Sequence, residues 1–598
     1  MDVLKKLRYI FTRKQKFQSL RILVLIIIGS FAELLGVSAI QPFIDTIVQP
    51  ENILELEPYG KIYAFFRFTS INQFVFLLIV LLILIYVAKN LYLIYLYRNQ
   101  YRYIYSIMRD LSTKMMGCYL KQPYSFHTTK NTSELLRNIN QDTADFCGTI
   151  QALVKLATEG LVVAVIVVYL FVRDKTITVV VGFIMAVLLL VFMKLYKSLL
   201  VKMGDRNRFY EAQVNKWVQQ AFGGIKEVKV MNKEDFFYRA YREAYDGRVK
   251  SEYTYHTMIS IPKPVIEACA MSALLGAIGI KLLLGVHINY IAPTVSIFAV
   301  AAMRMLPSFN RITEYLGTIA YQSPSINSIY NDLREIESLE RAGEKTKEEG
   351  TKPLPIQKGI FVKNLTFTYP DGGRQVLSDV SMTIEKNTSV AFVGSSGAGK
   401  TTLADIILGV LTPDSGQVLV DDADIRENLN AWHQTVGYIP QNIYLMDDTI
   451  RRNIAFGLSE EEIDDERVLE ACRRAQLMPL ISELEKGLET EVGERGVRLS
   501  GGQRQRIGIA RALYAGPEVL ILDEATSALD NETEAAVMES IDALHGEMTL
   551  IIIAHRLTTI AACDAIYRIS DGKAWTERSN AEEYVRIAER VRKKDRRQ

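Results

Sequence analysis

Thr176–Met193 is a run of 18 residues without a charge, bracketed by Lys175 and Lys194. A stretch of that length and character is long enough to bury itself in hydrocarbon, where ~20 mostly apolar residues cross the bilayer core. Five further segments repeat the pattern, giving candidate spans at about 20–45, 74–98, 152–172, 176–196, 262–284 and 288–310. All lie in the first 310 of 598 residues. A mean hydropathy of +0.08 with 23% charged residues fits a chain that is half membrane and half water-soluble. Leu20–Asp45 does not read as a cleaved leader, because it is too long and no small-residue cleavage site follows it cleanly.

Charge sets the expected orientation. Lys5, Lys6, Arg8, Arg13, Lys14, Lys16 and Arg21 stand against one acid, Asp2, before the first span. The stretches after the second span (Arg98, Arg102, Arg109, Lys114, Lys121) and after the fourth are also basic, while Glu51, Glu55 and Glu57 follow the first span. The positive-inside rule then places both termini in the cytoplasm if there are six spans. The two internal stretches are about 50 and 65 residues long and rich in helix formers. They read as cytoplasmic extensions of the membrane helices, with small separate domains as the alternative. The net charge of +2 gives no reason to expect nucleic-acid binding. The cysteines are scattered and odd in number, which argues against a disulfide scaffold or a zinc site.

The membrane region is expected over 1–340 and a linker over 341–357, with the charged run R-A-G-E-K-T-K-E-E-G-T-K at Arg341–Lys352. From 358 to 598, short β-rich runs alternate with helical stretches. Ser389–Val393, Val418–Val420, Val436–Ile439, Val519–Leu522 and Thr549–Ile553 are the strand candidates, and the alternation implies a mostly parallel α/β sheet.

This second half carries the chemistry. Val390–Val393 leads into G-S-S-G-A-G-K-T: Gly394, Ser395, Ser396, Gly397, Ala398, Gly399, Lys400 and Thr401, followed by Thr402. In a strand–loop–helix context the glycines let backbone N–H groups surround phosphates, Lys400 meets the β/γ charge, and the Thr401 hydroxyl suits Mg²⁺. V-L-I-L-D-E at Val519–Glu524 ends a buried strand in two carboxylates. Asp523 is placed to hold Mg²⁺ through water and Glu524 to polarise the attacking water. A solvated turn is the bland reading of such a pair, and the phosphate loop some 120 residues upstream makes it untenable.

L-S-G-G-Q at Leu499–Gln503 supplies a second phosphate-binding corner through Ser500, Gly501, Gly502 and Gln503. With it, the stretch 358–575 resembles the ABC transporter ATPase domain. The resemblance implies ATP and Mg²⁺ as ligands. It places Tyr369 against adenine, Gln441 (in Y-I-P-Q) at Mg²⁺ and the lytic water, and Glu494 (in E-V-G-E-R-G) facing the membrane domain. Ser527–Asp530 falls at the dimer interface and His555 (in I-A-H-R) at the γ-phosphate. Glu524, His555 and Gln441 are then the catalytic candidates, with Thr401, Gln441 and Asp523 around the metal. One chain carries one copy of each corner, so a homodimer is expected. Beyond Gly572 the chain departs from the usual exporter ending.

The first half resembles the six-helix, domain-swapped ABC exporters, whose two coupling loops look like Leu120–Leu135 and Gln219–Val230. Intramembrane charges narrow the cargo, since each needs a partner or a wet cavity. Lys155 with Glu159 and Lys263 with Glu267 are spaced for pairing within one helix, and Glu33 interrupts the first span. Arg304 and Arg311 lie seven residues apart on one helical face without a local acid, which suits an anionic head group, with ion pairing to another helix as the alternative. Met303–Ile312 and Phe31–Ile44 are similar to the corresponding spans of the lipid-linked oligosaccharide flippases of bacterial N-glycosylation. That resemblance implies an inner-membrane transporter of a polyprenyl-pyrophosphate glycan, with Arg304 and Arg311 toward the pyrophosphate and a short external helix at Gln49–Gly60. A drug, lipid or peptide exporter is the alternative.

Overall fold

The computed structural model describes residues 2–40, 43, 46, 61, 63, 65, 68, 70–173, 175–283, 288–343, 354–369, 374–523, 531–554, 560 and 563–576. The expected external helix at Gln49–Gly60, most of the linker, and Ser527–Asp530 lie outside these residues. The chain divides into two compact units. One is Met1–Gln122 with His127–Leu339; the other is Pro123–Phe126 with Glu340–Gln598.

The first unit is helical. α1 (Asp2–Ile10) leads to α2 (Arg13–Ser38), which starts on a reciprocal cap: Gln15 N–H donates to the Thr12 hydroxyl while the Gln15 side chain accepts from Thr12 N–H. The long helices follow as α3 (Ile71–Leu120), α4 (Thr143–Arg173), α5 (Lys175–Gly223), α6 (Glu234–Ser260), α7 (Pro262–Leu283) and α8 (Ile288–Gly343). A helix satisfies its own backbone in lipid, which an open segment cannot. Among the described residues, four helices are long and apolar enough to cross a membrane. α3 has 50 residues and is ~75 Å long at 1.5 Å per residue, far more than a ~30 Å hydrocarbon core requires. The helices therefore run on into the polar stretches between the apolar windows.

Glycines set the closest helix approaches. A Cβ on Gly204 of α5 would stand 1.9 Å from the Tyr321 carbonyl oxygen of α8. In the polar extension a one-turn π-helix, Asn138–Asp142, precedes α4 and presents the fully buried Asp142 to Arg208 of α5.

The second unit has two sheets. β1 (Gly359–Thr368), β2 (Gln375–Glu385), β4 (Ser415–Val420) and β5 (Ala423–Asp424) form an antiparallel sheet in the order β2-β1-β4-β5. The sequence reading anticipated only part of β4 in it. β3 (Ser389–Val393), β6 (Val436–Ile439), β7 (Val519–Asp523), β8 (Thr549–Ile553), β9 (Ala565–Ser570) and β10 (Lys573–Thr576) form the other, ordered β10-β9-β3-β8-β7-β6. All its pairings are parallel except β9 with β10. β3, β7 and β8 are buried along their whole length, as strands covered on both faces must be.

Candidate nucleotide site and the membrane charges

In the parallel sheet, β3, β6, β7 and β8 all end at one edge, the usual place for a ligand in an open α/β sheet. β3 runs into the loop Gly394–Gly399. Gly397 has φ +78° and Gly399 φ +100°, and a Cβ on Gly399 would meet the Leu377 side chain at 3.0 Å. Only glycine takes that backbone and that approach without strain. α9 (Lys400–Ile407) then starts with no side-chain cap, leaving its first N–H groups to the loop's concavity.

Lys400 is 5% exposed, and its ammonium donates to the carbonyls of Gly394 at 3.1 Å and Ser395 at 3.0 Å. The Thr401 hydroxyl donates to Asp523 Oδ1 at 3.4 Å, joining the first turn of α9 to the end of β7. These two oxygens suit a hard cation such as Mg²⁺. The hydroxyls of Tyr369 and Thr402 are 3.1 Å apart, and the Tyr369 ring packs edge-on against Phe367 at 4.9 Å. The phosphate loop and the candidate adenine-stacking ring are thus held to the same helix. Ile439 of β6 is level with Leu522 of β7, so Gln441 follows β6 at the edge where Asp523 stands. Glu524 directly follows β7 in sequence, His555 comes two residues after β8, and both lie outside the described residues.

Two groups at this edge escaped the sequence reading. Asp405, one turn after Thr401, has its pKa pushed up to about 6 by burial and by the Asp523 charge. Tyr438 is pushed well above its ordinary value by burial, then by Asp523 and Asp405. The four-residue step from Thr401 to Asp405 on a helix was the available signal.

Ser500 caps α10 (Gly501–Tyr514): its hydroxyl accepts from Gln503 N–H at 3.3 Å, and the Gln503 side chain accepts from Ser500 N–H at 2.8 Å. L-S-G-G-Q is therefore also a capping box that fixes an uncluttered helix N-terminus. Glu494 sits exposed in a tight turn in which Gly493, Arg495 and Gly496 all have positive φ.

A model of the ABC transporter family matches residues 377–527, and one of the ABC transporter transmembrane region matches residues 20–303. The ATP-dependent lipid A-core flippase of Francisella tularensis subsp. holarctica (strain OSU18) is 31% identical over 484 residues, 78% of this chain and 76% of that protein. The chain belongs to the ABC transporter family. It is an exporter-type half-transporter and a transport ATPase, with a helical membrane domain fused to an ATP-binding domain. The lipid A-core flippase of Escherichia coli (strain K12) is 29% identical over 472 residues, 78% of this chain and 79% of that protein. In fold, the transporter is similar to an ATP-bound bacterial Atm1-family ABC exporter, with a TM-score of 0.78 over 96% of this chain and 99% of that one at 21% identity.

In the membrane domain the charges pair differently from the sequence expectation. Arg311 has an acid after all: its guanidinium meets Glu159 of α4 at 2.9 Å, through two nitrogens. The acid comes from another helix, where inspection of one helix's own spacing cannot find it. Lys155 lies over the Tyr101 ring at 5.6 Å rather than pairing with Glu159. Among the described residues no ion pair joins Lys263 and Glu267, both of which are exposed. Glu33 meets Lys89 of α3 at 3.2 Å. The Arg304 side chain lies outside the described residues.

Proposed function

We propose that two copies of this chain form a homodimeric flippase in the bacterial inner membrane, both termini cytoplasmic, carrying a polyprenyl-pyrophosphate-linked oligosaccharide to the outer leaflet. The domains are taken as 1–340, linker 341–357 and 358–598. The reading rests on the similarity of Met303–Ile312 and Phe31–Ile44 to the spans of that flippase group, with Arg304 and Arg311 on the last of them. The Arg311 side chain keeps 38% exposure beside Glu159, so the ion pair leaves a guanidinium edge for an anionic head group. Arg is suited to this by its planar fork of donors. A second reading, a lipid A-type cargo, is favoured by the lipid A-core flippases among the relatives.

In the ATP cycle Lys400 exchanges its two loop carbonyls for β/γ-phosphate oxygens. The N–H groups of Gly394–Thr402 hold the phosphates, and Tyr369 stacks on adenine. Ser500, Gly501, Gly502 and Gln503 of the partner copy close the site through the free end of α10. Glu524 orients and polarises the lytic water, with Gln441 beside it and His555 at the γ-phosphate. Thr401, Gln441 and Asp523 would hold Mg²⁺, which would offset phosphate charge. Proton removal from water, attack on phosphorus and departure of ADP then need only positioned groups.

Stimulation of ATPase activity in nanodiscs distinguishes the cargoes. Polyprenyl-pyrophosphate oligosaccharide should stimulate above lipid A and above hydrophobic drugs. Stimulation by lipid A alone would transfer the assignment to the second reading, and stimulation by drugs alone would reject both.

A further inference from the structure

Outside the ATP site, an apolar groove of about 520 Å³ opens between α1, α2 and α4, with Tyr103 of α3 at its floor. That volume lies in the ~300–1,000 Å³ range of sites that hold small molecules. Two helical stripes face each other across it. Ser19, Ile22, Leu23 and Ile26 recur on α2, and Ile150, Leu153, Val154 and Ala157 on α4, both at the i, i+3, i+4, i+7 spacing of one helix face. From Lys16 to Ile26 the groove runs ~15 Å along the helix, the length of a stretch of extended hydrocarbon. Its polar interior is already satisfied, since the Tyr103 and Ser19 hydroxyls bond to each other.

The groove is polarised. Arg8 and Lys16 line one end, and among the described residues neither side chain has a hydrogen-bond or ion-pair partner. The acid nearest in the bonding pattern, Asp110, accepts from Gln15. Both cations belong to the basic N-terminal cluster of seven Lys and Arg against one acid.

We infer that this groove is a binding site for an anionic phospholipid of the cytoplasmic leaflet, its acyl chain between α2 and α4 and its phosphate on Arg8 and Lys16. Charge complementarity chooses the occupant. In a zwitterionic lipid the head group's own ammonium offsets the attraction of the phosphate to two unpaired cations, whereas the phosphodiester of an anionic lipid takes a bidentate Arg contact and a Lys point charge without that offset. The hydrocarbon lining favours a lipid over free phosphate. The lining of the groove includes neither the proposed cargo arginines of the sixth span nor any residue of the candidate nucleotide site. Bound lipid would hold α1 against α2 and α4, making the transporter's behaviour depend on leaflet composition. The inference uses the N-terminal orientation proposed above but not the cargo.

The test uses the full-length dimer in nanodiscs that carry the probe in both leaflets, so the result is independent of orientation and cargo. The probe is phosphatidylglycerol with a photoactivatable diazirine in its acyl chain, and adducts are mapped by mass spectrometry. We expect adducts on peptides containing residues 7–26 or 150–157, several-fold above those from the matched phosphatidylcholine probe. The Arg8→Gln/Lys16→Gln variant should lower them at least fivefold. Leu153→Trp, which fills the groove without changing charge, should do the same. Basal ATPase activity reports that both variants fold. Equal labelling by the two probes, labelling that survives both variants, or full competition by millimolar inorganic phosphate would each overturn the proposal. So would labelling absent from these peptides with crosslinks to the partner copy in its place, which would make the groove part of the dimer interface.

Discussion

Replacing Asp142 by Ala should be among the most damaging single changes in the helical extension. The carboxylate is wholly buried and accepts from Arg208 at 2.8 and 3.0 Å, with Arg137 3.7 Å away. The two guanidinium side chains retain only 22% and 10% exposure. Burial already lowers the Arg137 pKa, and Arg208 lowers it further. Removing Asp142 therefore strands two like charges where water solvates them only in part, and breaking one side of a buried pair costs about 3–5 kcal/mol. Smaller units lose ~2–4 °C of melting temperature per kcal/mol, and this helical unit is larger, so a drop of roughly 5–10 °C is expected. The assay is the fraction of detergent-solubilised protein still monodisperse after heating, at one fixed scan rate. Asp142→Leu/Arg208→Met removes the hydrogen-bonded pair together and should recover part of the loss, because a buried ion pair is often replaceable by apolar packing while Arg137 still lacks its acid. A Asp142→Ala variant within a degree of the parent, or a double variant worse than either single change, would refute this account of the junction.

Three further outcomes follow. Gly204→Val places side-chain atoms against the Tyr321 carbonyl, where even a Cβ would stand at 1.9 Å, so it should destabilise by at least the ~1–3 kcal/mol typical of overpacking; heat-resistance of the purified protein reports it. Asp145, outside the spans, has its pKa pushed up to about 6, by burial first, against hydrogen bonds from Ser325 and Gln141 that lower it. The folded protein then binds more protons than the unfolded chain between about pH 4 and 6, so this group's effect on stability becomes unfavourable as pH rises through that window and stays so above it. Asp145→Asn should raise heat-resistance at pH 7 and leave it nearly unchanged at pH 4; an equal effect at both would be inconsistent with that ionisation. Glu524→Gln should bind ATP yet hydrolyse it at least a hundredfold more slowly, and near-normal turnover would remove Glu524 from its role.

The elements of the candidate nucleotide site were legible because they are local: strand Ser389–Val393, the loop after it and α9 follow each other in sequence, and Val519–Asp523 is a single buried run. The antiparallel sheet was less so. β1 carries register shifts between Val362 and Leu365 and again near Phe367, which break the period of two that marks a strand. β2 does alternate over much of its length, and that signal went unused. Partners distant in sequence were invisible in principle. Glu159 and Arg311 are 152 residues apart, Asp142 and Arg208 66, and Asn138 and Asp332 194. A spacing rule within one helix cannot anticipate contacts that exist only after several helices pack.

Flipping in proteoliposomes measures directly the proposed ATP-driven movement of a pyrophosphate-linked glycolipid. Fluorescent polyprenyl-pyrophosphate oligosaccharide is incorporated with the purified dimer, and loss of outer-leaflet signal is followed by an enzyme that cannot cross the bilayer. The account predicts movement that requires ATP and is abolished by Lys400→Ala. Arg304→Ala should also abolish it while leaving basal ATPase activity largely intact, with Arg304→Lys restoring it only in part. Normal ATP hydrolysis with no movement of this lipid, or movement at the parental rate by the Arg304→Ala protein, would contradict it.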